Sequence, residues 1–308
     1  MLNNRPNVIK NAIFFNEKKH NLSANFSFHY ICMMKVIKRI FDFYIFSNIH
    51  VAFAAFGLTK ITLLNYKIES NLLPWFVFFS TIASYNFIRL YKIYKIKRWV
   101  FKFIRDNKKG IVALTILSAL LVVYLGFSLK RNTLLTLLPF GLFTLFYVVP
   151  IPIKRNSTWA LRKVTFLKLF LIAFSWAGVT VLIPMVNYEI DIQYNELVIF
   201  TQRFLFMVAV TIPFDIRDMN FDDRRLKTLP QAVGIQKSKV FGLFLMMVFM
   251  GLEFLKVPTE EAHFTIHLII ALLSLLFLFR ATVLQGRYYS AFFVESLPIV
   301  WLLLVVFL

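Results

Sequence analysis

Residues 197–234 read LVIFTQRFLFMVAVTIPFDIRDMNFDDRRLKTLPQAVG. An apolar run from Leu197 to Phe214, long enough to cross a bilayer, ends directly in Asp215, Asp218, Asp222 and Asp223. Arg224, Arg225 and Lys227 follow, then Thr228-Leu229-Pro230 and Gly234. The whole chain holds only 15 Asp and Glu, so this gathering of carboxylates stands out. Asp215, Asp218 and Asp222 are spaced i, i+3, i+7, which on a helix sets them along one face within about two turns. Like charges on one face repel unless a cation or a basic partner neutralises them. Oxygen donors alone, at the end of an apolar segment, suit Mg²⁺ holding a phosphate group.

The rest of the chain agrees with the apolar half of that stretch. It is 59% hydrophobic with 37 Phe and 16% charged residues, against roughly 25% charged in soluble domains. This composition belongs to an integral membrane protein. The formal net charge of +20 sits in short clusters between apolar runs, which excludes a basic nucleic-acid-binding domain. Anionic lipid headgroups and a phosphorylated substrate are the fitting counter-charges. A lone cysteine, Cys32, excludes a disulfide framework and any cysteine-based metal site.

About nine segments have transmembrane length: residues 41–64, 72–91, 110–129, 133–151, 165–186, 197–214, 240–255, 264–279 and 290–308. They are continuously apolar where a barrel strand would alternate, so the expected fold is an all-α polytopic bundle forming one domain over residues 33–308. Loops after the even-numbered segments concentrate cations: Lys92 to Lys109, then Lys154, Arg155, Arg162 and Lys163, then Arg217 to Lys239, then Arg280 and Arg287. The opposite loops carry mainly Glu and Asp. By the positive-inside rule the N-terminus is cytoplasmic and the C-terminus lies across a bacterial-type inner (plasma) membrane. Residues 1–32 are Asn-rich and lack the apolar core of a signal peptide. They read as a weakly ordered extension, with Met33 or Met34 as alternative starts.

With these residues in place, the chain resembles the UbiA-type membrane prenyltransferases. Their second aspartate-rich motif, Asp-x2-Asp-x3-Asp followed by Thr-Leu-Pro-x3-Gly after the sixth of nine helices, is matched by Asp215, Asp218, Asp222, Thr228, Leu229, Pro230 and Gly234. Tyr147 with Pro150 and the basic pair Lys154-Arg155 after the fourth helix are similar as well. The resemblance implies an enzyme that binds a prenyl diphosphate through Mg²⁺ and transfers the isoprenoid to an aromatic or other lipophilic acceptor. It implies catalytic, metal-holding roles for Asp215, Asp218 and Asp222. It implies substrate contacts from Asn86, Tyr147, Lys154 and Arg155, while Arg224 and Arg225 either add the cations a diphosphate needs or are ordinary positive-inside residues.

One half of the pattern departs. The family's first motif, Asn-Asp-x2-Asp-x3-Asp after the second helix, falls on Asn86 but places Phe87, Leu90 and Tyr94 where the aspartates stand. None of these ligates a hard cation. Two replacements are open: Arg89 and Lys92, with Lys95, bind the diphosphate directly and leave one Mg²⁺ to the second motif, or Arg89 pairs with Asp215 or Asp218 as a structural latch. Accordingly a relative that binds isoprenoid or lipid without turnover stands as the alternative to an enzyme. A secondary transporter has little support: with 9 Gly, no matched pair of broken helices is visible.

Ionisable residues inside the apolar segments are expected to face the bundle interior. Arg203 is expected to meet Glu253 or Glu295. His50, with no second His one turn away, reads as an interior hydrogen-bonding residue.

Overall fold

The computed structural model describes residues 33–91, 98–148, 151–154, 157–159, 167–221, 228–256 and 261–308. The chain divides into two units, Met1–Tyr44 and Ile45–Leu308. In the first, residues 33–44 are helical, within α1 (33–46). The extension expected over residues 1–32 lies outside the described residues.

The second unit contains α2 (Ile49–Asn65), α3 (Leu72–Tyr91), α4 (Arg98–Asp106), α5 (Lys108–Gly126), α6 (Arg131–Val148), a short antiparallel pair β1 (Ile151–Lys154) and β2 (Ser157–Trp159), and α7 (Leu167–Ala177). After α7 come a π-helical turn (Gly178–Leu182), α8 (Ile183–Asn187), α9 (Tyr194–Asp218), α10 (Leu229–Val233) and α11 (Ile235–Gly251). Then follow a 3₁₀ turn (Leu252–Leu255), α12 (Glu261–Arg280), a second π-helical turn (Tyr289–Val294) and α13 (Leu297–Phe307). Each apolar segment read from the sequence overlaps a helix, and among the described residues 6 helices are long and apolar enough to cross a membrane. The fold is an all-α membrane bundle, with one short hairpin as its exception.

Two local readings are corrected. The first apolar segment is not one helix: it breaks at Ser47-Asn48, where Asn48 has φ 68°, a conformation that Asn tolerates better than most residues. The basic stretch after α3 is not wholly a loop, because RWVFKFIRD forms α4, which buries Ile104 (1% exposed) while Lys102 and Arg105 are exposed. Such a helix suits a membrane–water interface.

α2 and α9 are the middle of the packing. α2 packs on α3, α13 and the first π turn, and α9 on α7 and α11, while α11, α12 and α13 neighbour one another in turn. The main core gathers Leu58 and Ile61 of α2 with Phe206, Ile212 and Ile216 of α9, Phe249 of α11 and Trp301 of α13. A second cluster joins Ala55, Leu73, Phe76 and Val77 to Phe140 and Ile183. Phe140 needs the bare backbone of Gly178: a Cβ there would lie 2.1 Å from the Phe140 ring.

Away from the aspartates, at the other end of α9, polar groups tie the helices. Tyr66 Oη donates to Glu196 (2.8 Å), and burial together with that bond pushes the phenol up from its ordinary value. Glu253, fully buried, accepts from Gln202 Nε2 (2.8 Å), Lys256 Nζ (2.8 Å) and His267 Nδ1 (2.7 Å). Arg203 does not meet Glu253 or Glu295. It donates to the carbonyl of Leu58 (2.8 Å) and lies 4.8 Å over the Trp301 ring, because its place on α9 faces the backbone of α2 and the indole of α13.

Candidate functional site

The carboxylates end α9. Pro213 has no N–H, so it interrupts the helical ladder just before them, and its own carbonyl accepts from Gln285 Nε2 (3.1 Å), which anchors this end of α9 to the segment preceding the second π turn. Asp215 is buried, 1% exposed. Asp218 is held by the neighbouring Arg217 through Nε (2.8 Å) and Nη2 (2.9 Å), the two-pronged geometry in which a guanidinium binds a carboxylate best.

Beyond Phe221 the described chain resumes at Thr228, and the Thr-Leu-Pro-x3-Gly half of the motif has a structural task. Thr228 caps α10, its N–H donating to Gln231 Oε1 (3.1 Å), while Gln231 Nε2 donates to the carbonyl of Met219 (3.0 Å) at the end of α9. Pro230 occupies the first turn, where a missing N–H costs nothing. Gly234, at φ 84°, takes the left-handed turn from α10 into α11 that a side chain would strain. The motif therefore supplies acids from α9 and folds the following segment back beside them.

Asp215 and Asp218 line a cavity of about 220 Å³ together with Glu295, Thr211, Phe214, Tyr85 and Trp176. Glu295 follows the second π turn, and a widened turn of this kind is frequent at functional sites. Its charged neighbours are Arg89 and Arg217. The sequence placed Glu295 inside the bundle but gave it the wrong partner. It gave no signal at all for Trp176.

Asn86 is fully buried. Its Oδ1 accepts from Asn48 Nδ2 (2.6 Å), which explains why the break between α1 and α2 sits opposite α3, and its Nδ2 is a buried donor without a partner among the described residues. Arg89 donates to the carbonyl of Phe46 (2.5 Å), with Glu295 and Arg217 as its charged neighbours. The latch from Arg89 to Asp215 or Asp218 does not form: Arg217 takes Asp218, and Arg89 turns to the backbone at the end of α1. Lys92, Arg155, Asp222, Arg224 and Arg225 lie outside the described residues. Tyr147 falls on α6 and Lys154 on β1.

Among the described residues no group of three or more His, Cys, Asp or Glu is placed to hold a metal ion. Mg²⁺ is commonly held by one or two carboxylates, with phosphate oxygens and waters completing its shell. Asp215 and Asp218 would meet that requirement if a phosphate supplied the remainder and Asp218 gave up its bond to Arg217.

No family model matches the sequence, and no curated protein matches it. Among solved structures, a UbiA homolog from Archaeoglobus fulgidus, described as bound to GPP and Mg²⁺, aligns with a TM-score of 0.56 at 12% identity, covering 85% of this chain and 94% of that one. The likeness is one of fold: the chain has a UbiA-like helical architecture.

Proposed function

We propose that this protein is an integral membrane prenyltransferase, moving an isoprenoid chain from an allylic diphosphate to a lipophilic acceptor. The observation that carries this reading is the cavity in which Asp215 and Asp218, spaced as the second motif requires, face apolar and aromatic walls. Polar donors for a cation–diphosphate head thus adjoin a space for a hydrocarbon tail. The solved UbiA homolog is described with the same kind of ligand pair, GPP and Mg²⁺.

In this reading Asp215 and Asp218 hold Mg²⁺, with Asp222 as a third ligand. When bound, the ion neutralises charge on the departing diphosphate. Arg217, freed from Asp218, and Arg89 supply fixed cations for the same group, and Arg224 and Arg225 add to them. Asn86 Nδ2 offers a neutral donor. Lys92, Tyr147, Lys154 and Arg155 complete the diphosphate's surroundings. The C–O bond to diphosphate breaks, the acceptor forms the new bond at the allylic carbon, and the acceptor's displaced proton passes to Glu295. The site opens to the cytoplasm, in keeping with the cation-rich loops.

The alternative, binding of isoprenoid or lipid without turnover, is favoured by one observation: Asp218 is already satisfied by Arg217. Release of diphosphate from an allylic diphosphate by the purified protein with Mg²⁺ decides between them. Turnover that disappears in Asp218→Ala supports the enzyme. Release at the same rate in Asp218→Ala sinks the assignment, and tight binding without release supports the alternative.

A further inference from the structure

Three cavities follow one another away from the carboxylates. The first, of about 220 Å³, holds Asp215, Asp218 and Glu295. The second, of about 130 Å³, is lined by Ser80, Ser84, Ser175 and Val179 among others. The third, of about 360 Å³, shares those four residues and reaches Phe87, which is 48% exposed, and Gly141, exposed on α6. It therefore opens at the surface between α3 and α6. The first and second cavities share two residues, Tyr85 and Trp176. These are bonded to each other: Trp176 Nε1 donates to Tyr85 Oη at 3.2 Å.

We propose that the Tyr85–Trp176 pair is a gate that sets the length of isoprenoid the carboxylate cavity accepts. This rests on the prenyl-diphosphate reading above and adds the residues that decide among its substrates. The volumes give the limit. A dry cavity of about 150 Å³ takes up a benzene ring, so by the same ratio the 220 Å³ cavity holds on the order of nine carbons, about two isoprene units. With the gate open, the second cavity adds about five carbons and the third about fourteen on the same scale, and a tail of four units or more fits.

The position of the pair suits a movable partition. Trp176 precedes the π turn Gly178–Leu182 by one residue beyond Ala177, and such turns replace the regular hydrogen-bond ladder locally and gather at functional sites. Tyr85 lies one residue before Asn86 on α3, so motion of its ring is coupled to the helix that carries Asn86 and Arg89. The hydrogen bond between the two rings is a neutral one, weak enough to be broken by a ligand that fills both sides.

The test measures affinities of the full-length protein in detergent, with Mg²⁺, for non-hydrolysable prenyl thiodiphosphates of five, ten, fifteen and twenty carbons. Titration calorimetry reads binding without turnover. The expected wild-type profile tightens from five to ten carbons and then weakens at fifteen and twenty. In Trp176→Ala the profile continues to tighten through twenty carbons, with at least a tenfold gain for the longest tail. Trp176→Phe, which keeps an aromatic core and loses the N–H, shifts the profile in the same direction by a smaller factor and keeps the inference testable if the alanine variant fails to fold. Ser84→Trp, filling the second cavity in the Trp176→Ala background, abolishes the gain. Equal wild-type affinity across all lengths, or a length profile unchanged in both Trp176 variants, overturns the gate while leaving prenyl-diphosphate binding intact. Absence of binding at every length overturns the functional reading and the gate with it.

Discussion

Glu253→Ala removes the acceptor at the centre of a buried cluster, and its cost follows from the bonds lost with it. The carboxylate is fully buried and Lys256 beside it is 12% exposed. Three donors, from Gln202, Lys256 and His267, converge on one oxygen. Without it, the mostly buried Lys256 ammonium loses this carboxylate and keeps Arg203 as a charged neighbour of the same sign. Breaking a buried pair by removing one partner costs about 3–5 kcal/mol. At about 2 °C per kcal/mol for a chain of this size, the melting temperature in detergent should fall by about 6–10 °C. Intrinsic tryptophan fluorescence is a suitable probe, since Trp301 lies 5.2 Å from the His267 ring. The double variant Glu253→Ala/Lys256→Met should recover part of the loss, because it removes both charges of the pair. A melting temperature within about 2 °C of the parent for Glu253→Ala, or full additivity in the double variant, would refute the account.

Two further outcomes are expected. Gly178→Ala drives a methyl into the Phe140 ring, at 2.1 Å before relaxation, and should cost about 1–3 kcal/mol by overpacking. Phe140→Leu should relieve that cost, and an unshifted melt for Gly178→Ala alone would contradict the packing described. For topology, single cysteines at positions 157 and 193 in a Cys32→Ser background should react with a membrane-impermeant maleimide from opposite sides, as the cation asymmetry of the loops requires. Labelling from one side would reverse that reading.

The apolar runs and the spacing of Asp215 and Asp218 were legible in the sequence because each depends on neighbours in the chain. Hydropathy over a helix length and a carboxylate every turn are local properties, and each apolar segment overlaps a helix. The break at Ser47-Asn48 was not visible, since a single Asn inside an apolar run carries no stop signal. Its reason is non-local: the Asn48 side chain reaches Asn86 on another helix. The partners of the buried charges were likewise decided by the tertiary structure. Arg203 meets Leu58 and Trp301, which stand far from it in the chain, and Glu295 joins the aspartates only because the start of α13 comes beside the end of α9. The sequence by itself determined a membrane bundle with a carboxylate-bearing helix end. Only the packing of α2, α3, α7, α9 and α13 decided that those carboxylates line a cavity with Tyr85 and Trp176, because a cavity is the space between helices and no one segment encodes it.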